Sequence, residues 1–251
     1  MQPTNDDTPL LTDRQRAILK MTEQQGFVTV EGLANAFVVS PQTVRRDIIA
    51  LDRFGLLQRF HGGAGSVGEG DALRLGHTRK EAIAIPAKRE IARRVAALIP
   101  NDAAIFLDVG TTAEAVADVV NGHGSLQVFT TNLLAALRFD HRRHDVQVIS
   151  GRLAGQDGSL VGEGTVRQLA RLRLDYALIG CSGIEPGGRV MDFDLAKIAV
   201  KRAAMEAAGS AILLATGEKF GRSARAEIAR LSDFAHVVTE TDTALAANAV
   251  R

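Results

Sequence analysis

Hydrophobic residues recur with the period of an α-helix in four stretches of the first hundred residues. The stretches are Ile18 and Met21; Leu33, Ala34 and Phe37; Val44, Ile48 and Leu51; and Ile91, Val95 and Leu98. Spacings of three and four residues place such side chains on one helix face. The pattern therefore predicts helices over residues 13–24, 31–38, from 41 onward and 89–99, and the apolar run at residues 27–30 resembles a short strand.

The helix that begins at residue 41 has the clearest boundary. Ser40 is a favoured N-cap, and Pro41 suits the first helical position, where its missing N–H costs nothing. If the apolar positions face the core, Gln42 and Arg46 lie on the outward side. Residues 56–64 contain two adjacent glycines that permit a tight turn, which indicates a short hairpin. Three helices followed by a hairpin are the layout of a winged helix-turn-helix.

The outward side of this helix has the chemistry that DNA recognition requires. Amide, hydroxyl and guanidinium groups can read base edges or bind phosphates. We predict that Gln42, Thr43, Arg45 and Arg46 face the major groove, and that Arg53, Arg59 and His61 contact phosphates from the helix end and the wing. Two other interpretations stay open, an ordinary solvated helix face and a module that binds protein. The formal net charge of +1 favours none of them.

Beyond residue 103, short apolar runs alternate with helical stretches. The runs cover residues 104–109, 126–130, 146–150, 176–179, 211–215 and 235–239. This alternation predicts an α/β domain with a mainly parallel sheet and helices on both faces. We expect a DNA-binding domain over residues 1–64, a glycine-rich linker over 65–84 and an effector-sensing domain over 85–251.

Several predicted strand ends have residues suited to holding an anion. In parallel sheets, ligands lie outside the carboxyl ends of the strands, where helix N-termini offer free N–H groups. The candidates are Asp108, Gly110, Thr111, Thr112, Thr131, Asn132, Gly151, Asp194 and Lys219. Any one such junction is more often an ordinary turn or cap, but several together favour a pocket. None of these junctions matches a P-loop or a dinucleotide-binding G-x-G-x-x-G that follows a strand.

Other kinds of site receive little support from the sequence. His141 and His144 resemble a metal pair, but they lie in a charged stretch for which a solvated turn is the favoured interpretation. Cys181 is alone, which excludes an intramolecular disulfide, and a packed thiol is favoured over a nucleophile. No Ser-His-Asp arrangement is recognisable. We expect no cofactor and no metal.

The location of the protein also follows from composition. Apolar residues make up 46% of the 251 residues and charged residues 24%, as in ordinary globular proteins. The first nine residues lack a basic and apolar leader, and no apolar run of about 18 residues occurs. We therefore expect a cytoplasmic protein that has no membrane partner.

Residues 12–64 and 85–240 resemble the DeoR family of bacterial transcriptional regulators. Residues 41–47 and 61–64 are similar to the family's DNA-binding signature. Residues 108–112, 130–133, 180–184 and 219–221 are similar to successive blocks of its effector domain. Within the family, residues 37–43 and 191–194 are most similar to glycerol-3-phosphate regulon repressors.

The resemblance implies a repressor whose C-terminal domain has the fold of sugar-phosphate isomerases and binds a phosphorylated sugar or polyol without turning it over. It further implies a homo-oligomer, a dimer or tetramer, on double-stranded operator DNA. In this interpretation Asp108 or Asp194 binds hydroxyl groups of the effector. The alternative is an isomerase-like enzyme with a DNA-binding appendage.

Overall fold

The computed structural model of the protein describes residues 11–25, 27–54, 56–60, 63–66, 84–155, 157–241 and 243–245. His61 and residues 67–83 of the predicted linker lie outside the described residues. The chain forms two compact units, Met1–Arg74 and Leu75–Arg251.

The N-terminal unit consists of three helices and a small antiparallel sheet. Its elements are α1 (Asp13–Gln25), β1 (Phe27–Thr29), α2 (Val30–Phe37), α3 (Pro41–Arg53), β2 (Leu57–Phe60) and β3 (Gly63–Ser66), and the strand order is β1-β3-β2. Thr29 and Ser40 cap α2 and α3 by accepting hydrogen bonds from the N–H groups of Gly32 and Thr43. The predicted apolar positions Ile18, Leu33, Val44, Ile48 and Leu51 form its core. The winged helix-turn-helix prediction is confirmed.

The C-terminal unit alternates strands and helices. Its elements are α4 (Ile85–Leu98), β4 (Ala104–Leu107), α5 (Thr111–Val120), β5 (Gln127–Thr130), α6 (Leu133–Ala136), β6 (Asp145–Val148), β7 (Arg152–Ala154), β8 (Ser159–Val161), α7 (Glu163–Leu169), β9 (Leu174–Gly180), β10 (Gly183–Ile184), β11 (Arg189–Asp192), α8 (Leu195–Ala207), β12 (Ala208–Leu214), β13 (Ala226–Arg230), β14 (His236–Val238) and β15 (Thr243–Leu245), with 3-10 turns at Gly217–Lys219 and Leu231–Asp233.

One seven-stranded sheet organises this unit, in the order β15-β14-β12-β9-β4-β5-β6. All neighbours from β14 to β6 pair in parallel, and β15 pairs antiparallel at the edge. Successive strand residues face opposite sides, so Phe106 packs in the cluster that contains Ile198 of α8, and Leu107 packs in the cluster that contains Val116 of α5. Helices cover both faces, as the alternation of apolar runs predicted.

The parallel arrangement brings the carboxyl ends of β4, β5, β9 and β12 to one edge of the sheet. Two small antiparallel sheets contact this region: β8 through a bridge between Asn132 and Ser159, and β10 through a bridge between Ile184 and Phe220. Among the described residues, no helix has the length and apolar character needed to cross a membrane.

The turn around His141 and His144 is only partly as expected. His141 is exposed, but His144 is only 3% exposed. Its ring packs edge to face against Phe139, with 5.8 Å between the ring centroids. The prediction of a solvated turn was therefore wrong for His144, because its imidazole packs against the buried ring of Phe139. In the part of the chain that the structure describes, no group of acidic, histidine or cysteine side chains could hold a metal ion.

Candidate functional sites

The outward side of α3 carries cations that lack an acidic partner among the described residues. Gln42, Arg45, Arg46 and Arg53 are exposed and Thr43 is partly exposed. Arg59, on β2 of the wing, is exposed as well. The structure gives none of these four arginines an ion pair with any residue that it describes. No described carboxylate therefore competes with an external anion for these guanidinium groups.

Two carboxylates attach α3 to the rest of the unit, Asp47 on its buried side and the exposed Asp52 near its end. Asp47 is 7% exposed and accepts hydrogen bonds from Nε of Arg14 at 2.6 Å and Nε2 of Gln15 at 3.3 Å, both on α1. The hydrogen bond to Asp47 raises the pKa of Arg14. Asp52 accepts from the backbone N–H of Arg59 at 2.9 Å and so connects α3 to the wing. The outward side of α3 is thereby held in position relative to α1 and the wing.

In the C-terminal unit, the junction between β4 and α5 presents free backbone donors. Gly110 precedes α5 with φ 115°, a conformation that favours glycine, and it has no side chain with which to cap the helix. No described atom lies within 4 Å of the position that a Cβ on Gly110 would take. The first N–H groups of α5, including those of Thr111 and Thr112, have no partner within the helix and carry partial positive charge.

The adjacent end of β5 contains buried polar groups that lack partners among the described residues. Thr130 donates to the carbonyl of Leu107 at 2.7 Å, which joins the ends of β5 and β4. Oδ1 of Asn132 accepts from the first N–H groups of α6. Oγ1 of Thr131 and Nδ2 of Asn132 are buried, and the structure shows no hydrogen-bond partner for either within the residues it describes. Buried polar atoms nearly always have a hydrogen-bond partner, so these two atoms indicate a site for a bound polar group.

A buried lysine connects three strand ends beside these donors. Lys201, on α8, has a side chain that is 3% exposed. Its ammonium group donates to the Asp108 carboxylate and to the Gly180 carbonyl at 2.8 Å, and it lies 3.3 Å from Oδ2 of Asp192. Burial alone would lower the pKa of Lys201, but the charges of Asp108 and Asp192 outweigh it and raise that pKa. All three donors of the ammonium group are thus engaged.

Asp192 is the more accessible of the two carboxylates, with a side chain that is 13% exposed. Its Oδ1 accepts from the hydroxyl of Ser182 and the N–H of Phe193, each at 2.8 Å. Burial would raise the pKa of Asp192, but Lys201 and these hydrogen bonds lower it below its usual range. Burial raises the pKa of Cys181 to about 12, so this cysteine is a protonated thiol at neutral pH.

The remaining predicted residues have varied surroundings. Lys219 lies in the 3-10 turn after β12, is half-buried, and its ammonium group has no ion pair with a described residue. Asp194 caps α8 through Oδ1, which accepts from two backbone N–H groups. At Gly151 a Cβ would collide with Oγ1 of Thr165, so close packing requires this glycine. The structure thus brings Gly110, Thr111 and Thr112 next to the end of β5, and gives Asp108, Gly151 and Asp194 internal roles.

Lys201, Asp47 and Asp52 were not among the predicted site residues. Two of them left a signal in the apolar pattern. Asp47 falls on the stripe of α3 that contains Val44 and Ile48, and Lys201 falls on the buried side of α8 near Ile198. A charged residue on an apolar stripe indicates a buried ion pair.

Two family models match the chain over most of its length. Residues 14–69 match the DeoR-like helix-turn-helix domain, and residues 83–241 match the DeoR C terminal sensor domain. Among curated proteins, the Glycerol-3-phosphate regulon repressor of Haemophilus influenzae is 39% identical over 227 residues, which cover 90% of this chain and 88% of that protein. The repressor of the same name from Escherichia coli is 37% identical over 231 residues, covering 91% and 90%.

Solved structures with a similar fold are distant in sequence. The tetrameric eIF2B-beta2-delta2 complex from C. thermophilum has a chain that is 13% identical, with a TM-score of 0.51 and coverage of 94% of this chain and 80% of that one. Ribose 5-phosphate isomerase A from Methanocaldococcus jannaschii is 13% identical, with a TM-score of 0.40 and coverage of 53% of each chain. These similarities concern the fold alone.

Proposed function

The chain belongs to the DeoR family of transcriptional regulators, and from this membership we propose that it represses a carbohydrate or polyol catabolic operon. A phosphorylated metabolite, such as glycerol 3-phosphate or a sugar phosphate, binds the C-terminal unit and releases the protein from operator DNA. Relatives that are 37–39% identical bear the name Glycerol-3-phosphate regulon repressor, which supports this effector class. The observation that carries the proposal is the exposed cationic face of α3.

The DNA-binding part of the proposal assigns two roles. Gln42, Thr43, Arg45 and Arg46 read the major groove, while Arg53, Arg59 and His61 bind phosphates. Exposed cations on one side of α3 support this assignment, since an arginine held by a carboxylate would have to give up that partner before it bound DNA. Binding to paired half-sites requires a dimer or a larger homo-oligomer. We propose a cytoplasmic location, because the operator DNA lies there. We assign these DNA contacts to a domain over residues 1–64, and we assign residues 65–84 to the linker between it and the effector-sensing domain.

The effector part of the proposal places a phosphate at the ends of β4 and β5. The free N–H groups at Gly110, Thr111 and Thr112 would donate to phosphate oxygens. Thr131 and Asn132 would supply the donors that have no partner among the described residues, and Lys219 would supply a cation. Asp108, Gly151 and Asp194 stay predictions as direct contacts. Lys201 and the N–H of Gly180 occupy Asp108, and the backbone of α8 occupies Oδ1 of Asp194. Gly151 packs closely against Thr165.

We further propose that the bound metabolite is not turned over. Isomerisation of a sugar phosphate requires a base that is free to take a proton. Lys201 and the N–H of Gly180 hold the Asp108 carboxylate, which is 1% exposed. Asp192 is more accessible, but its lowered pKa makes it a weak base near neutral pH. Formation of product from a sugar phosphate by the purified chain would decide for the enzymatic alternative.

The DNA assignment can be tested with Arg46→Ala on the promoter next to the protein's own gene. Loss of a base contact should weaken binding by about 1–3 kcal/mol, and Arg59→Ala should reduce the slope of affinity against salt concentration. Arg167→Ala, an exposed arginine of the C-terminal unit that pairs with Glu163, is the matched control. Unchanged affinity of Arg46→Ala at two salt concentrations would contradict the assignment.

The effector class can be tested by calorimetry with phosphorylated metabolites of three to six carbons. Lys219→Met should weaken the binding of any ligand found, and the same ligand should release promoter DNA in a gel-shift assay. Absence of heat with every phosphorylated sugar and polyol would refute the pocket. A ligand that strengthens DNA binding would refute the proposed direction of control.

A further inference from the structure

Three aspartates close to the strand ends differ in what occupies their carboxylates. Asp108 is 1% exposed and binds Lys201 and the N–H of Gly180. Asp194 gives Oδ1 to the backbone of α8. Asp192 keeps a 13% exposed side chain, and its contacts leave lone pairs of both oxygens available, since a carboxylate has about four acceptor positions. Asp192 and Asp194 both stay partly exposed. Asp192 is the one that shares Lys201 with Asp108, the carboxylate that directly follows β4 and precedes the proposed phosphate donors.

We propose that Asp192 reads a hydroxyl group of the effector, which must then be a phosphorylated polyol and not simply an alkyl phosphate or inorganic phosphate. This inference rests on the proposed function, because it concerns the same pocket. Ser182 contributes to the recognition because its hydroxyl donates to Oδ1 of Asp192 and orients the carboxylate.

The position of Asp192 relative to the phosphate donors supports these separate roles. One ammonium group, that of Lys201, bonds both Asp108 and Asp192, so the two carboxylates lie on either side of a single nitrogen atom. The N–H groups of Thr111 and Thr112 follow Asp108 by only three and four residues. A phosphate at the start of α5 therefore lies on the same strand-to-helix junction as Asp108, whose partner Lys201 also binds Asp192.

The electrostatics of the cluster select a hydroxyl over a second anion. Lys201 is one cation between two carboxylates, so the buried group carries a net negative charge. Asp192 itself would repel a phosphate oxygen, whereas a hydroxyl donates to this ionised carboxylate and gains a charge-assisted hydrogen bond. Hydrogen bonds and Lys201 keep the pKa of Asp192 low, so it stays ionised at neutral pH.

The test compares two ligands on three variants by calorimetry of the full chain. Glycerol 3-phosphate and n-propyl phosphate have the same three-carbon length and differ in two hydroxyl groups. Asp192→Asn should remove the preference for glycerol 3-phosphate, by about ten-fold or more, and leave the affinity for n-propyl phosphate within about two-fold. Asp194→Asn tests the rival carboxylate and should keep the preference, since asparagine also caps helices well. Asp118→Asn, which changes an exposed carboxylate of the same unit, is the matched control.

The outcomes separate this inference from the proposed function. If Asp192→Asn keeps the preference, or Asp194→Asn loses it, or the wild type binds both ligands equally, the role of Asp192 is overturned while the pocket stands. Binding of neither ligand, nor of inorganic phosphate, would refute the proposed function and this inference with it. Should Asp192→Asn fail to fold, Ser182→Ala replaces it, with an expected loss of the preference by about three- to ten-fold and none for n-propyl phosphate.

Discussion

Nε of Arg14 lies 2.6 Å from Oδ2 of Asp47, and this ion pair joins α1 to the buried side of the helix that we propose reads DNA. Asp47 is the only acidic residue on the apolar stripe of α3, between residues whose side chains are fully covered. The contact fixes which side of α3 faces outward, because rotation of the helix would pull the carboxylate away from Arg14.

The first prediction concerns this ion pair. Asp47→Ala should lower the free energy of unfolding of the N-terminal unit by about 1.5–3 kcal/mol, the range for hydrogen bonds to a charged group. Chemical denaturation of the full chain measures it. Asp13→Ala removes an exposed pair with Arg16 and should cost about 0.5 kcal/mol or less. Equal losses in the two variants would show that burial of Asp47 contributes nothing.

The second prediction concerns Lys201. Lys201→Met leaves the carboxylates of Asp108 and Asp192 close together without a cation, so we expect a loss of about 3–5 kcal/mol in the stability of the C-terminal unit. Lys197→Met, one turn earlier on α8, breaks the more exposed pair with Asp157 and should cost less. Thermal unfolding of the three proteins compares them. A Lys201→Met variant as stable as the wild type would show that the ion cluster is dispensable.

The third prediction concerns the end of α2. Val38 has φ 53°, in the left-handed region that a β-branched side chain disfavours, and it is 90% exposed, so no packing offsets the strain. Val38→Asn should raise the free energy of unfolding by about 1 kcal/mol. Val38→Ala, which keeps a Cβ, should gain less. Denaturation midpoints that fall in both variants would exclude strain at this position.

The sequence predicted the N-terminal unit well because its determinants are local. Ser40 and Pro41 lie next to the helix that they start, and the apolar stripe needs only the helical period. The end of α2 was harder to predict. A glycine or asparagine there would have indicated a left-handed residue that ends the helix, whereas Val38 does not. The alternation of apolar runs and helical stretches predicted a parallel sheet. It did not predict the order of the strands, because no single run indicates which strand it pairs with.

The site of the C-terminal unit was predictable only in part, for a physical reason. Free N–H groups at Gly110 and Thr111 follow from a strand and helix that are adjacent in sequence. The ion pair of Lys201 with Asp108 joins residues 93 positions apart, and only the folded sheet brings them together. The predicted site included Asp194 and not Asp192. Asp192 ends β11 and Asp194 comes two residues later, and nothing in the sequence shows that Asp194 is used to cap α8.

The last prediction concerns pH and His144. Burial lowers the pKa of His144 below its usual 6.5, more than the nearby carboxylate of Asp140 raises it. The folded protein therefore binds this proton less readily than the unfolded chain does, so stability is full above about pH 6.5 and falls as the solution becomes more acidic. His144→Leu keeps an apolar side chain against Phe139 and should flatten the dependence of the urea midpoint on pH between about 5 and 7. The exposed His141→Gln should retain the wild-type slope, and a slope that His144→Leu leaves unchanged would assign the acid sensitivity to other groups.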